Sequence, residues 1–435
     1  FSVGSLANAG LLEFQGGTFR LTDANLAVGP GGPFGARLAL REDQRIEVVH
    51  DAEVLPGGEL GLQGGVLAAG RLTNHGLITG RGRIEGPLTN GAGEVEVGPG
   101  ERLRVTGPAV NDGGQMTLGG GTMHFEETLT NTGGGLVMGN GLLRADGGLT
   151  NEATMAFSGV ANVVGDVENT PAGLILATGV GPTTFFDDVH NDGEIRVSAG
   201  STAVYFGAAD GDGNVTGTGM NYFEGDLKPG SSAGIMSFEG NVAFGAFASL
   251  QIELADPDNS DPLAPRYDAL DVVGDVDLAG TLDLSWLPVA ADPNSKFGGV
   301  YSILTYGGMR TGIFDGIDCQ MEAYLDTSMF DDGIEYDDAN GEIKVHLYDL
   351  LVGDADLDGR VARGDFQALQ DGFGSPDPDW FGGDFNFDGR VDFLDYLTWK
   401  ANVGDSVPGA IPEPATVGLL ALGALALVAR MRRRS

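Results

Sequence analysis

The feature that most constrains this chain is a recurring asparagine. Leu-Thr-Asn stands at 72–74, 88–90, 129–131 and 149–151, with looser copies at Val110-Asn111, Val167-Glu168-Asn169 and Val189-His190-Asn191. Asn74, Asn90, Asn111, Asn131, Asn151, Asn169 and Asn191 are thus separated by 16, 21, 20, 20, 18 and 22 residues. Between them run short alternating segments such as Glu94-Val95-Glu96-Val97 and Glu194-Ile195-Arg196-Val197, whose period of two marks strands with one face in and one face out. Glycine pairs and Asn-Asp-Gly supply the turns. A unit of roughly 20 residues cannot bury its own apolar face, so stacked units sharing one core are expected. The fold class read from this is mainly β, a parallel β-helix or solenoid over 1–225. The asparagines are expected at one corner, each amide bonding the next. The rival, hairpin turns of a β-sandwich, uses the same Asn-Gly signals.

Near 226 the pattern changes. A turn-rich stretch, Gly225 to Gly234, precedes longer strands: Ser249 to Leu254, Tyr267 to Val273, Gly280 to Leu284 and Tyr301 to Thr305. This order resembles the C-terminal section of bacterial autotransporter-type β-helix proteins. The resemblance implies a β-rich extension or cap over 226–349 and no chemistry.

Residues 349–405 hold thirteen Asp, no Glu and four basic residues. Two loops lie in register: Asp354-Ala-Asp356-Leu-Asp358-Gly-Arg360, reaching Asp365, and Asp384-Phe-Asn386-Phe-Asp388-Gly-Arg390, with Asp392 and then Asp395. Oxygens at positions 1, 3 and 5 converge because the backbone wraps around one point. Glycine at 6 allows the turn, position 7 (Arg360 or Arg390) offers its carbonyl, and the Asp at 12 closes the cage. Two Ca²⁺ ions are expected. Ala362 at position 9 of the first loop has no ligand oxygen, whereas Asp392 fills that place in the second. Apolar stripes follow each loop, Phe366 and Leu369 after the first, Phe393, Tyr396 and Leu397 after the second, and are expected to pack together. The arrangement resembles a type I dockerin over 350–404. That likeness implies a small α-helical calcium domain and a cohesin-like partner. Positions 10 and 11, Arg363-Gly364 and Phe393-Leu394, lack the Ser/Thr pair common in cellulosomal dockerins.

After a linker at 405–414 containing Pro412-Glu413-Pro414, residues 415–429 form an uncharged run rich in Leu, Ala and Gly, and 430–435 a basic tail. A run of 15 is short of the roughly 20 residues of a full span, yet the terminal arginines favour a transmembrane helix with the preceding chain outside. The three parts resemble the PEP-CTERM sorting signal. That implies an exported cell-surface or extracellular protein, transiently anchored in the inner membrane, processed by an exosortase-type enzyme and associated with exopolysaccharide.

Composition narrows the function. The formal net charge is −38, which repels phosphate backbones, so nucleic acid is not an expected partner. Cys319 is the one cysteine, so no intrachain disulfide forms. His50, His75, His124, His190 and His346 show no zinc-ligand spacing. Gly230-Ser-Ser-Ala-Gly234 lacks the strand-turn-helix context of a hydrolase elbow, Asp210-Gly-Asp212-Gly-Asn214 lacks the glycine of a calcium loop, and the pairs Glu126-Glu127 and Asp187-Asp188, which would alternate sides on a strand, read as solvated turns. The reading is therefore a non-enzymatic structural or adhesion protein. The alternative is a polysaccharide-binding or polysaccharide-degrading β-helix. A solenoid groove with three or more converging charged side chains favours the alternative.

Overall fold

The computed structural model describes residues 2–4, 14–230, 233–255, 257, 259, 265–287, 297–319, 325–330, 332–356, 359–375, 379–386 and 388–406. The expected transmembrane helix 415–429, the PEP motif at 412–414 and the basic tail lie outside them. Among the described residues no helix is long and apolar enough to cross a membrane.

From Ser2–Val3 to Gly316–Cys319 the strands pair in parallel, each with the equivalent strand of the next turn. One turn is representative: Leu88–Asn90, Glu94–Val97 and Arg102–Val105 form its three sides. Side chains alternate along each strand as the sequence alternation requires. Val95, Val97, Leu103 and Val105 are buried while Glu96, Arg102 and Arg104 point out. Stacking turns places like on like, and the apolar rows merge into one core. One inner row becomes aromatic toward the C-terminal turns, with Phe185, Tyr205, Phe223 and Phe244 at ring spacings of 5.4, 4.7 and 5.9 Å.

The asparagines occupy one register position: Asn74 pairs with Asn90, then Asn111, Asn131, Asn151, Asn169 and Asn191 in turn. Each Nδ2 donates to the Oδ1 of the next asparagine at 2.7–2.8 Å. All seven side chains are buried, and the ladder satisfies them without water. Its close fit explains a second recurrence, a glycine two to four residues after most of the asparagines. A Cβ at Gly135 would sit 2.5 Å from the Asn111 carbonyl and 2.6 Å from Asn131 Oδ1, so only glycine fits. Turn length varies because the corners absorb insertions while the three-residue strands hold register.

The parallel ladder crosses residue 226 without a break. The architecture changes later, where Glu342–Leu350 pairs antiparallel with Phe297–Tyr306 and with Ile334–Asp337. This hairpin covers the end of one solenoid sheet, which would otherwise present unpaired backbone groups.

Candidate metal centre

Strand Glu342–Leu350 leads within four residues to Asp354, the first residue of the first acidic loop. Two ten-residue helices follow the two loops, α1 at Arg363–Gly372 and α2 at Phe393–Asn402. Each begins where position 12 of its loop turns inward. In the first loop the carboxylates of Asp354, Asp356 and Asp365 each bring an oxygen within 4.8 Å of the others. Asp354 Oδ2 accepts from the Gly359 N–H at 2.8 Å. Asp365 accepts from Ala355 N–H at 2.8 Å and from Ala362 N–H at 2.6 Å. Asp358 lies outside the described residues.

The second loop repeats this wiring. Asp384 Oδ2 accepts from Gly389 N–H at 3.0 Å, and Asp395 accepts from Phe385 N–H at 2.9 Å and Asp392 N–H at 2.8 Å. The Asn386 and Asp388 side chains meet at 3.1 Å. The position-6 glycines have left-handed backbones, with φ of +81° at Gly359 and +78° at Gly389, the turn that lets the chain wrap. Asp392 Oδ1 accepts from Leu394 N–H at 2.7 Å and so caps α2. Arg360 and Arg390 hold position 7 of their loops, where the carbonyl is the donor.

The electrostatics are those of crowded anions. Asp354, Asp365, Asp384 and Asp395 are all buried. Burial, then the charges of Asp384 and Asp388, pushes the Asp395 carboxyl up to about 6. Burial, with Asp356 adding to it, also raises Asp365. Backbone N–H donors oppose both shifts but do not cancel them. The donors are oxygens throughout, a set that suits a hard divalent cation and not zinc.

The helices pack through a narrower contact than the apolar stripes suggest. Phe366 of α1 lies 4.8 Å from the Trp399 ring and 6.2 Å from Tyr396. Leu369 is buried. Phe393, Leu394 and Leu397 face solvent on the other side of α2, with Phe393 61% exposed. Their equivalents on α1 are Arg363, Gly364 and Gln367, so the two loops are alike while the outer helix faces are not. Trp380 was not singled out from sequence. It is fully buried and donates from Nε1 to the Asp354 carbonyl at 2.6 Å, tying the second half of the module to the first loop. Trp399 Nε1 donates to the Ala362 carbonyl at 3.1 Å. Val361 exchanges backbone bonds with Gly404 and Asp405, joining the two ends of the module.

On the solenoid, Asp210 of the rejected half-loop pairs with His190 at 2.6 Å. Asp187 and Asp188 lie on a corner and not on a strand, so the alternation argument does not apply to them. Asp188 lines a groove with Asp166, Glu168 and His190, so the solenoid does carry a groove lined by several charged side chains, the feature that favours the polysaccharide alternative. Residues 231–232 of the elbow-like stretch lie outside the described residues.

No curated protein and no solved structure matches the chain. The PEP-CTERM protein-sorting motif matches residues 410–434. A β-solenoid followed by this signal marks an exported protein of the cell envelope or surface, addressed to exosortase.

Proposed function

We propose that the chain is a non-enzymatic structural or adhesion protein of the cell surface, whose solenoid is displayed outside and whose 350–404 module folds around two Ca²⁺ ions. The observation that carries the calcium reading is the convergence of Asp354, Asp356 and Asp365 within 4.8 Å, with two of the three buried. In the second loop Asp384, Asn386, Asp388 and Asp395 hold the same loop positions, with Asp384 and Asp395 held by the same backbone bonds. Like charges so placed repel, and a segment of this size has little core to oppose them. Oxygens of Asp354, Asp356, Asp358, Asp365 and the Arg360 carbonyl would hold the first ion. Asp384, Asn386, Asp388, Asp395 and the Arg390 carbonyl would hold the second, with Asp392 at position 9 of that loop. The binding free energy then becomes folding free energy for the module.

The second site is the tighter one in this reading, because Asp392 supplies an oxygen where Ala362 has none. A dockerin-like kinship, a cohesin-like or exopolysaccharide partner, and anchoring by 415–429 before exosortase cleavage complete the proposal. Calorimetric titration of the full chain with Ca²⁺ after EDTA treatment tests it. Two ions per chain are expected, and one in Asp384→Ala. Fewer than two in the parent, or an unaffected Asp384→Ala, refutes the calcium reading.

A further inference from the structure

The acidic module is a two-fold repeat, and the contacts between its halves depart from that repeat in one direction. One contact is shared. Gly404 N–H donates to the Val361 carbonyl at 2.9 Å, and Gly374 N–H donates to the Val391 carbonyl at 3.3 Å, so each loop is held at position 8 by the opposite half. Two further contacts have no counterpart. Trp380 Nε1 donates to the Asp354 carbonyl at 2.6 Å, at position 1 of the first loop. Trp399 Nε1 donates to the Ala362 carbonyl at 3.1 Å, at position 9 of the same loop. Both indoles belong to the second half. Thirty residues earlier, at the repeat spacing, the chain has Leu350 and Leu369, and leucine has no side-chain N–H to donate.

Each indole is placed by the parts that the second loop orders. Trp380 opens a 3-10 turn, Trp380–Gly382, directly before that loop. Asp384 N–H, from position 1 of the second loop, donates to the Asp379 carbonyl at the start of this turn at 3.0 Å. The buried Trp380 ring meets the Phe385 ring edge-on at 5.3 Å, and Phe385 N–H donates to Asp395 at 2.9 Å. One route of contacts therefore runs from the position-12 carboxylate of the second loop to position 1 of the first. A second route starts at the same carboxylate. Trp399 lies one helical turn after Asp395 on α2. Ala362, which it holds by the carbonyl, donates its own N–H to Asp365 at 2.6 Å, so this route ends on the position-12 carboxylate of the first loop. Ala362 is also the place where the first loop lacks the side-chain oxygen that Asp392 gives the second.

We propose that Trp380 and Trp399 are positioning residues that couple the two loops, so that an ordered second loop shapes the first and raises its affinity for Ca²⁺. This rests on the calcium reading above and adds to it an order of filling. The second loop, with Asp392 at position 9, fills first. Its ordering fixes the 3-10 turn and the start of α2, and with them both indoles. The indoles then hold the first loop at positions 1 and 9, which lowers the ordering cost of binding there. Two neutral N–H···O=C bonds, each a factor of roughly five in affinity, give about 25-fold together, within the range usual for coupled sites. The coupling is reciprocal in free energy, and the stronger ligand set of the second loop decides which site fills first.

The test is a double-mutant cycle on the full chain, read by calorimetric titration with Ca²⁺ after EDTA treatment. The first site is the weaker of the two binding events in the parent and the one event left in Asp384→Ala. Trp380→Phe and Trp399→Phe keep a ring and remove the N–H. Asp384→Ala should weaken the first site at least tenfold in the parent, and at most threefold when both tryptophan changes are present. Trp399→Phe alone, at the half-buried indole, should remove about a fivefold part of that effect. Loss of packing without coupling would weaken the first site alike with and without Asp384→Ala and leave the ratio unmoved. Two ions in the parent with a first site indifferent to Asp384→Ala, or a ratio unmoved by the tryptophan changes, overturns the coupling and leaves the calcium reading standing. Fewer than two ions in the parent overturns both.

Discussion

Replacing Asn131 with leucine tests whether the ladder carries stability or only follows from register. Asn131 sits mid-ladder. Its Oδ1 accepts from Asn111 at 2.8 Å, and its Nδ2 donates to Asn151 at 2.8 Å and to the Thr154 carbonyl at 2.9 Å. Leucine removes all three bonds and strands two fully buried groups, Asn111 Nδ2 and Asn151 Oδ1. At about 1–3 kcal/mol for each orphaned buried group, the cost is about 2–6 kcal/mol. Asn191 ends the ladder. It accepts from Asn169 at 2.7 Å, but its own amide reaches only the Asn214 carbonyl at 3.5 Å. Asn191→Leu removes one strong bond but leaves Asn169 Nδ2 the Glu194 and Gly173 carbonyls at 3.2 and 3.4 Å, so it should cost at most about half as much. Thr130→Ala, one residue away on the outer face, should stay within about 0.5 kcal/mol. Urea unfolding followed by circular dichroism gives the ranking. Hydrogen exchange adds location, because a repeat array transmits damage mainly to neighbouring turns, so protection should fall first around residues 90–170. Equal costs at 131 and 191, or a cost at 131 no larger than at 130, would refute the argument.

Asn221 is fully buried, and among the described residues neither its Nδ2 nor its Oδ1 has a partner. Its ladder neighbours are Ala203 and Val242, so Asn221→Val should raise stability by about 1–3 kcal/mol in the same urea assay. Asp268 is buried and accepts from the Gly234 and Glu253 N–H groups at 2.8 and 2.9 Å, while burial pushes its pKa up to about 6. A folded pKa above the ordinary 3.8 means the native state holds the proton more tightly, so this group's contribution is full below pH 3.8 and is lost as pH rises through 6. Asp268→Asn places an amide N–H against one of those donors and should destabilise. The stability of the parent relative to this variant should fall between pH 4 and pH 6, by up to about 3 kcal/mol. Mass spectrometry of protein recovered from the cell surface should find Arg432, Arg433 and Arg434 absent; their retention would show that the sorting tail is not cleaved.

The ladder was legible because its signal is local and repeated. A strand of three residues puts Leu and Asn inside and Thr outside, and six intervals near 20 leave few ways to stack them. The glycine positions 6, 12-Asp pattern and helix starts of the acidic module were legible for the same reason. What escaped depends on contacts between turns. Asp166, Glu168, Asp188 and His190 come from two turns, and their meeting follows from corner lengths that no periodicity reports. The pair Asp187-Asp188 reads as a solvated turn, as found, but that says nothing of the residues it meets in the neighbouring turn. Helical spacing identified Phe393, Tyr396 and Leu397 as apolar, yet Tyr396 and Trp399 take the contact with Phe366 while Phe393 and Leu397 stay out. The shift read at 226 is not one of architecture: the strands that follow, such as Ile235–Phe238 and Ser249–Leu254, are no longer than those before it and pair in the same parallel register.

Solenoid and module face the same difficulty, polar side chains stacked where water is excluded, and meet it with opposite chemistry. An amide carries both a donor and an acceptor, so seven asparagines in register satisfy one another along the axis and the solenoid closes on its own atoms. A carboxylate at neutral pH only accepts. Asp354, Asp356 and Asp365, or Asp384, Asp388 and Asp395, cannot satisfy one another however closely they stack. The backbone N–H groups that reach Asp365 and Asp395 leave both carboxyls raised. What balances such a set is a proton or a cation. The solenoid should therefore keep its fold in EDTA, while the module should loosen there and tighten as calcium is restored. Circular dichroism of the full chain separates the two, because the described helices α1 and α2 both lie in the module. Loss of β-signal on chelation, or helical signal indifferent to it, would break this division of labour.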